Sequence, residues 1–438
     1  MRHPLLSVTF QNEAFRGGLL LAGKIAQMAG LGAIKSSAMA KAGAVITSLF
    51  GLMAEGKTDF ESMGEKRGSL FFKKALELPF VYAKETIRLY LERMAKDADG
   101  IIKQLRESNA RIIHKAPLHG IWIAGRKYLP VDIDTVALDN SKTKKEGVSR
   151  TYRGYDGYHP IMAYVGKEGY LLDCALRPGS QHCQNGTPAF ITALQGQLEK
   201  IQRGGRFLFR LDSGNDAWET LSSITGMGKG YYCIVKRNNR RESSEQWLKR
   251  AKRHGARVSP RKGKKVWVGA AKIHPRKKDA VLEDVHCVYE VTERKTDSAG
   301  NRLLIADVEV NLWWTNLECS AEKVIELYHR HATSEQFHSE LKYDMGVERL
   351  PSGKMEVNRI LFAIAMNAYN ALRFLGQQSI DQKPRSKHKR KRLGKVISDI
   401  ICVAGKLVKH AGGLVFKIYE HNPALPVFLR LTCALGSP

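Results

Sequence analysis

The residue patterns predict an α/β chain: a mixed sheet flanked by helices, with an α-helical N-terminal domain and a β-rich insertion. Three observations carry this. Apolar residues recur at helical spacing through residues 1–115. From about residue 118 the period shortens to that of strands, and strands then alternate with helices. After residue 236 a basic, strand-rich stretch interrupts that alternation.

The N-terminal helices fall on Ala38–Met53 and Phe71–Met94, with Gly51, Gly56 and Gly64 as breaks. An earlier apolar stretch, Leu19–Gly32, is interrupted by Lys24 and Gln27. It is too short and too polar to span a membrane and reads as the helix of a soluble protein. Thr86–Met94 (TIRLYLERM), with Lys96 just beyond, sets Arg88, Arg93 and Lys96 beside an apolar face, the pattern of either a solvated helix or a groove-binding one.

Strands follow at Tyr128–Leu138, Gly157–Val165 and Tyr170–Leu176, then helix Pro188–Ile201, strand Arg206–Leu211, helix Trp218–Thr225 and strand Tyr231–Val235. Residues 236–278 carry about seventeen Lys or Arg and two carboxylates, Glu242 and Glu245. Strands resume at Val285–Glu293 and Leu303–Trp314 around the turn Asp297–Asn301. A helix is expected from Ala321 past Tyr343, and another over Glu356–Phe374. Lys383–Arg392 (KPRSKHKRKR) reads as an exposed basic linker. The expected organisation is therefore 1–115 helical, 116–236 the first part of the core, 237–316 the basic insertion, 317–378 the second part of the core, and 379–438 linker and tail.

A chain of 438 residues is expected to form two or three compact units. Its 71 Lys and Arg against 43 Asp and Glu give a net charge of +28. That excess offers little to an enzyme of small molecules, whereas a polyanion binder gains affinity by releasing condensed counterions. Nucleic acid is the expected partner. The seven cysteines form no CxxC pair, so neither a zinc site nor a disulfide framework is expected. Reduced thiols and the lack of a leader pattern point to the cytoplasm, on the nucleoid.

Carboxylates in so basic a chain are informative. Asp132 and Asp134 stand two apart in a strand and share a face of the sheet. Buried there, they need positive charge to satisfy them. Asp212 directly follows the apolar run RFLFRL, at a strand end where open α/β sheets bind ligands. Tyr328, His331, Glu335, His338 and Lys342, spaced 3, 4, 3 and 4, form one helical stripe holding a single acid. Glu340 is about 140° round the helix from Glu335 and is the fallback. Acids on a strand, at a strand end and on a helix can converge on two hard divalent cations, Mg²⁺ or Mn²⁺.

These residues resemble the DDE transposases of bacterial insertion sequences. More narrowly, they are similar to the group whose last catalytic helix reads Tyr-x2-Arg-x3-Glu-x6-Lys. Tyr328, Glu335 and Lys342 match that frame; its arginine position holds His331, with Arg330 just before it. GYDGYHPIMAYVG (154–166), LRPGSQH (176–182) and GKTDF (56–60) resemble further family segments. The resemblance implies an RNase H-like core, two Mg²⁺ (or Mn²⁺) ions on Asp134, Asp212 and Glu335, and phosphate contacts from Tyr328, Arg330 or His331, and Lys342. It prefers Asp134 to Asp132 because Thr135 follows. It also implies double-stranded DNA with terminal inverted repeats as partner, a homodimer on that DNA, and strand transfer to target DNA. A base-stacking role for Trp247, Trp267, Trp313 or Trp314 competes with ordinary packing. The rival readings are a nuclease with the same core and a DNA-binding protein without catalysis.

Overall fold

In the computed structural model, which describes residues 13–14, 16–380, 390–410 and 413–434, the chain divides into two units. One comprises Pro117–Thr143 and Gly147–His338; the other comprises Met1–Ala116, Lys144–Glu146 and Ser339–Pro438.

The first of these is built on strand β1 (Arg126–Thr135), where Leu129, Val131 and Ile133 point to one face and Asp132 and Asp134 to the other. β2 (Ile161–Val165) runs antiparallel to β1, and β3 (Tyr170–Ala175) antiparallel to β2. Gly166 and Gly169, at φ 76° and 71°, make the tight turn between them. Helix α1 (Thr187–Ile201) then crosses to β4 (Phe207–Leu211), which pairs parallel with β1. Helix α2 (Trp218–Thr225) leads to β5 (Tyr231–Lys236), parallel to β4. The order β3-β2-β1-β4-β5, with only β2 reversed, is the RNase H-like mixed sheet expected from the resemblance.

The basic segment continues this sheet. After helix α3 (Ser244–His254), capped by the Ser243 hydroxyl, come β6 (Ala256–Arg261), β7 (Lys264–Ala271), β8 (His286–Thr296) and β9 (Arg302–Thr315). β9 pairs antiparallel with β5, Lys236 opposite Trp313, so the sheet runs on as β5-β9-β8-β7-β6. Trp247, Trp267, Trp313 and Trp314 are all buried within this unit, so packing and not base stacking accounts for them here. Helix α4 (Ala321–His329), capped by Ser320, lays Val324, Ile325 and Leu327 on Val266, Val268, Val288 and Trp313.

The long helix expected from Ala321 past Tyr343 is interrupted. A 3₁₀ turn at Arg330–Thr333 separates α4 from α5 (Ser334–Ser339), and a π turn follows at Glu340–Asp344. Both irregular turns sit where buried charges draw side chains inward: His331 to Asp132, and Glu340 to Arg373 and Arg390.

In the other unit, the helix Met355–Gln378 is buried along nearly its whole length and packs against Ala98–His114 and Ala42–Ala54. Asn367 donates to the Leu105 carbonyl at 3.2 Å and Asn370 to Asn109 Oδ1 at 2.6 Å, which satisfies amides that would otherwise be costly inside a helical core. Residues 339–378, expected with the core, therefore cluster with the N-terminal helices, because an all-round apolar helix needs partners on every side. Of the basic run 383–392, residues 383–389 lie outside the described residues. Arg390 is paired with Glu340, and Arg392 lies 2.9 Å from Asp344; neither is part of a free linker. Among the described residues, no helix is long and apolar enough to cross a membrane.

Candidate active site

Asp132 is 2% exposed and fully committed. It receives Arg210 Nε at 2.6 Å and Nη2 at 2.7 Å, a bidentate pair made possible because Asp132 and Arg210 are register partners on β1 and β4. Arg210 Nη1 also donates to the Leu327 carbonyl at 2.8 Å. His331 Nδ1 lies 3.0 Å from Asp132 Oδ1, off the line of a good hydrogen bond. Burial pushes the Asp132 carboxyl up, but Arg210 and His331 outweigh it and hold it below the ordinary carboxylate range. Burial likewise opposes charge on His331, and Asp132 more than offsets it, raising the imidazole.

Asp134, one turn of the pleat further, is more open, with its side chain 22% exposed. Its Oδ1 accepts from the Thr135 N–H at 2.7 Å and its Oδ2 lies 3.1 Å from His338 Nε2. Burial raises this carboxyl, yet His338, His331 and the Thr135 amide together bring it below the usual value.

Asp212 caps the C-terminal end of β4, the strand beside β1. Its Oδ1 accepts from Asn215 Nδ2 at 2.7 Å. Burial and the negative charge of Asp134 push it above the ordinary range, against the Asn215 and Gly214 contacts. A Cβ on Gly214 would stand 2.9 Å from Cys183 Sγ and 3.3 Å from the Asp212 carboxylate, so this turn needs a glycine to lie so close. Cys183 donates to the Gly214 carbonyl at 2.8 Å, and burial with the Asp212 charge pushes its thiol up.

Asp134 and Asp212 are thus two desolvated carboxylates that repel each other, one depressed and one raised. That is the donor chemistry of a hard divalent cation, whose charge would remove the conflict. Glu335 is exposed on α5, between His331 and His338, and its charge reaches Arg153. Among the described residues, no three His, Cys, Asp or Glu stand close enough to hold a metal ion, so Glu335 is not gathered with the two aspartates into a closed ligand set.

The remaining expected residues divide. Tyr328 stands beside the site: its ring is 6.0 Å from that of His331, and burial with the charges of Asp212 and Asp134 pushes its hydroxyl up. His331, expected at phosphate, is buried and turned onto Asp132, because Asp132 has one oxygen edge left beside Arg210. Arg330 is exposed and pairs with Glu326 one turn back. Lys342 is in the other unit, where it lies 2.9 Å from Glu348. Glu340, the fallback acid, is 1% exposed and neutralised by Arg373 and Arg390, so it is not a free ligand.

Sequence reasoning missed two residues. His338 stood out only as part of the stripe, yet it touches Asp134. His159, in the GYDGYHP segment, is buried with Nδ1 3.0 Å from the Gln181 carbonyl and no hydrogen-bond partner on Nε2. Burial lowers its pKa while the Asp134 charge opposes that shift. Its sequence signal was its place in the segment GYDGYHPIMAYVG, between the strands that end at Tyr158 and begin at Ile161.

A family model described as Transposase DDE domain group 1 matches residues 90–437. No curated protein matches the chain. Among solved structures, the piggyBac transposase synaptic complex with hairpin DNA, from cryo-electron microscopy, is similar with a TM-score of 0.42 and 11% identity, over 89% of this chain and 80% of that one. So distant a likeness carries no residue roles across.

Proposed function

The chain belongs to the DDE transposases, and we propose that it is an insertion-sequence transposase that binds terminal inverted repeats, cuts at their ends and joins the freed 3′ ends to target DNA. The observation that supports this best is the pair of half-buried, charge-coupled carboxylates, Asp134 on β1 and Asp212 just past the end of the neighbouring β4.

In this reading Asp134 and Asp212 hold Mg²⁺ or Mn²⁺, two ions in all, and Glu335 completes the set from α5. When bound, the cations supply Lewis-acid activation of the attacking oxygen and neutralise charge on the leaving oxygen. In the first step a water oxygen bonds to phosphorus while the P–O3′ bond breaks, leaving a 3′-hydroxyl and a 5′-phosphate. In the second, that 3′-hydroxyl attacks a target phosphate and a target 3′-oxygen leaves, taking a proton. Tyr328, Arg330 and Lys342 would grip phosphate near the scissile bond. His331 serves the same centre from within, by holding Asp132. The excess of 28 positive charges supports a polyanionic duplex as partner. A homodimer would bring two ends together, and the protein would act in the cytoplasm, on the nucleoid.

The test is cleavage of a labelled duplex carrying the repeat that flanks the gene, with Mg²⁺ or Mn²⁺, by the wild type and by Asp134→Ala, Asp212→Ala and Glu335→Ala. The expected result is cutting at the repeat boundary by the wild type alone, with DNA binding kept in all three variants. Binding without cutting by the wild type with either cation would replace this reading by that of a non-catalytic DNA-binding protein.

A further inference from the structure

The two aspartates of β1 are each met by an imidazole, and those imidazoles are seven residues apart on the segment that carries Glu335. Asp132, with Arg210, takes His331, and Arg210 also grips the Leu327 carbonyl at the end of α4. Asp134 takes His338 Nε2 at 3.1 Å. His338 is 5% exposed, and its other nitrogen, Nδ1, lies 3.2 Å from the hydroxyl of Tyr164 on β2. A carboxylate only accepts, so Nε2 carries a proton and donates to Asp134, while Nδ1 faces the Tyr164 hydroxyl, which also lies 3.4 Å from Met162 Sδ. Phe337, beside His338, packs its ring 5.1 Å from Tyr164 and fills the space over Gly169, where a Cβ would come within 2.2 Å of it. The ring of His338 is therefore met at both nitrogens, and it packs edge-on against the Tyr164 ring with centroids 5.4 Å apart.

We propose that His338 is a positioning residue for Asp134. It donates to one carboxylate oxygen and fixes the rotamer of Asp134, whose remaining lone pairs would hold the cation. With His331 it also clamps the helical segment at both ends of the turn that presents Glu335. Tyr164 holds the ring at its other nitrogen, Nδ1. This role rests on the reading of Asp134 as a cation ligand. Partners that orient metal ligands from behind are worth about 10–100-fold in metal affinity or activity.

The experiment measures Mn²⁺ binding to the DNA-free full chain by titration calorimetry, beside binding of the repeat duplex by mobility shift and urea unfolding. The variants are His338→Ala, His338→Gln, Tyr164→Phe and Asp134→Ala. His338→Ala is expected to weaken Mn²⁺ binding about 10–100-fold with duplex affinity unchanged. His338→Gln, whose amide can reach the place of Nε2, is expected to restore most of that binding. Tyr164→Phe should show a smaller loss of the same kind, and it carries the test if the alanine variant does not fold. Wild-type Mn²⁺ affinity in His338→Ala, or a glutamine variant no better than alanine, would overturn the positioning role. If Asp134→Ala also binds Mn²⁺ like the wild type, the assignment of Asp134 falls with it. Loss in Asp134→Ala alone removes only the role of His338.

Discussion

Asp132 and Asp134 lie two residues apart, and the structure gives their removal very unequal energetic consequences. Asp132 and Arg210 expose 3% and 4% of their side chains. Asp132→Ala strips the guanidinium of two charge-assisted hydrogen bonds, at 2.6 and 2.7 Å, and leaves it buried with only the Leu327 carbonyl at 2.8 Å. Breaking one side of such a pair costs about 3–5 kcal/mol, because the surviving charge has no water to return to. In a unit of about 220 residues, at about 2–4 °C per kcal/mol, Tm should fall by about 6–20 °C. Asp134→Ala removes a single side-chain contact, with His338, worth about 1–3 kcal/mol, and relieves the repulsion on Asp212. Its net cost should be about 1 kcal/mol or less. The assay is urea and thermal unfolding of the cation-free protein, followed by the fluorescence of the buried tryptophans in this unit. A wild-type midpoint in Asp132→Ala, with a large loss in Asp134→Ala, would refute the reasoning and return Asp132 as the candidate ligand.

Asp212 predicts a pH effect. Its folded-state pKa is raised, so its contribution to stability is full below the unfolded value of about 3.9 and is lost as pH rises through the folded value. Cation-free Asp212→Asn should therefore be more stable than the wild type at pH 7, with the gap closing in acid; a less stable variant at pH 7 sinks the idea. Mn²⁺ at a hundred times its Kd should stabilise the wild type by about 2.7 kcal/mol and the asparagine variant far less, as a thermal shift reads directly. Glu340→Gln leaves Arg373 and Arg390 without their shared carboxylate and should cost about 3–5 kcal/mol in urea unfolding while Mn²⁺ binding survives. Native stability with lost Mn²⁺ binding would make Glu340 the ligand. Replacing Arg257 and Arg261 of the fully exposed strand β6 by glutamine should lower the slope of log K against log salt for duplex binding, by about 0.9 for each phosphate no longer neutralised. An unchanged slope would place the DNA backbone against other basic residues.

The strand and helix order was legible because each element of the core keeps its own period. RFLFRL and YYCIVK are short apolar runs ended by turn residues, and β4 and β5 lie on them. What sequence could not show was long-range pairing. Nothing local says that Lys236 faces Trp313, so the β-rich basic insertion was legible in the sequence but its pairing onto the edge of the sheet was not. The choice between Asp132 and Asp134 was open for the same reason: both share a face, and the residue that separates them, Arg210, is 78 positions away. The helix after residue 320 misled because an unbroken 3.6 period was assumed, while buried ion pairs introduce a 3₁₀ and a π turn that shift every later side chain. Lys342 lies within that second break, which is why the spacing of the stripe did not forecast its partner, Glu348.

The seat of α4 has a consequence for how this protein can vary. Val266, Val268 and Val288, on strands of the basic segment, form the floor under Val324 and Leu327, and α4 leads directly to His331 and Glu335. The segment is therefore no detachable annex, although β5, which leads into it, and β9, its last strand, are neighbours that a short hairpin could join. Descendants can lengthen, trim or recharge its far turn, at Ser298–Gly300, which is remote in register from that floor. Deleting the whole excursion would remove the surface on which α4, the helix that leads to Glu335, is laid, so evolution is free to redecorate this part of the molecule and not to discard it.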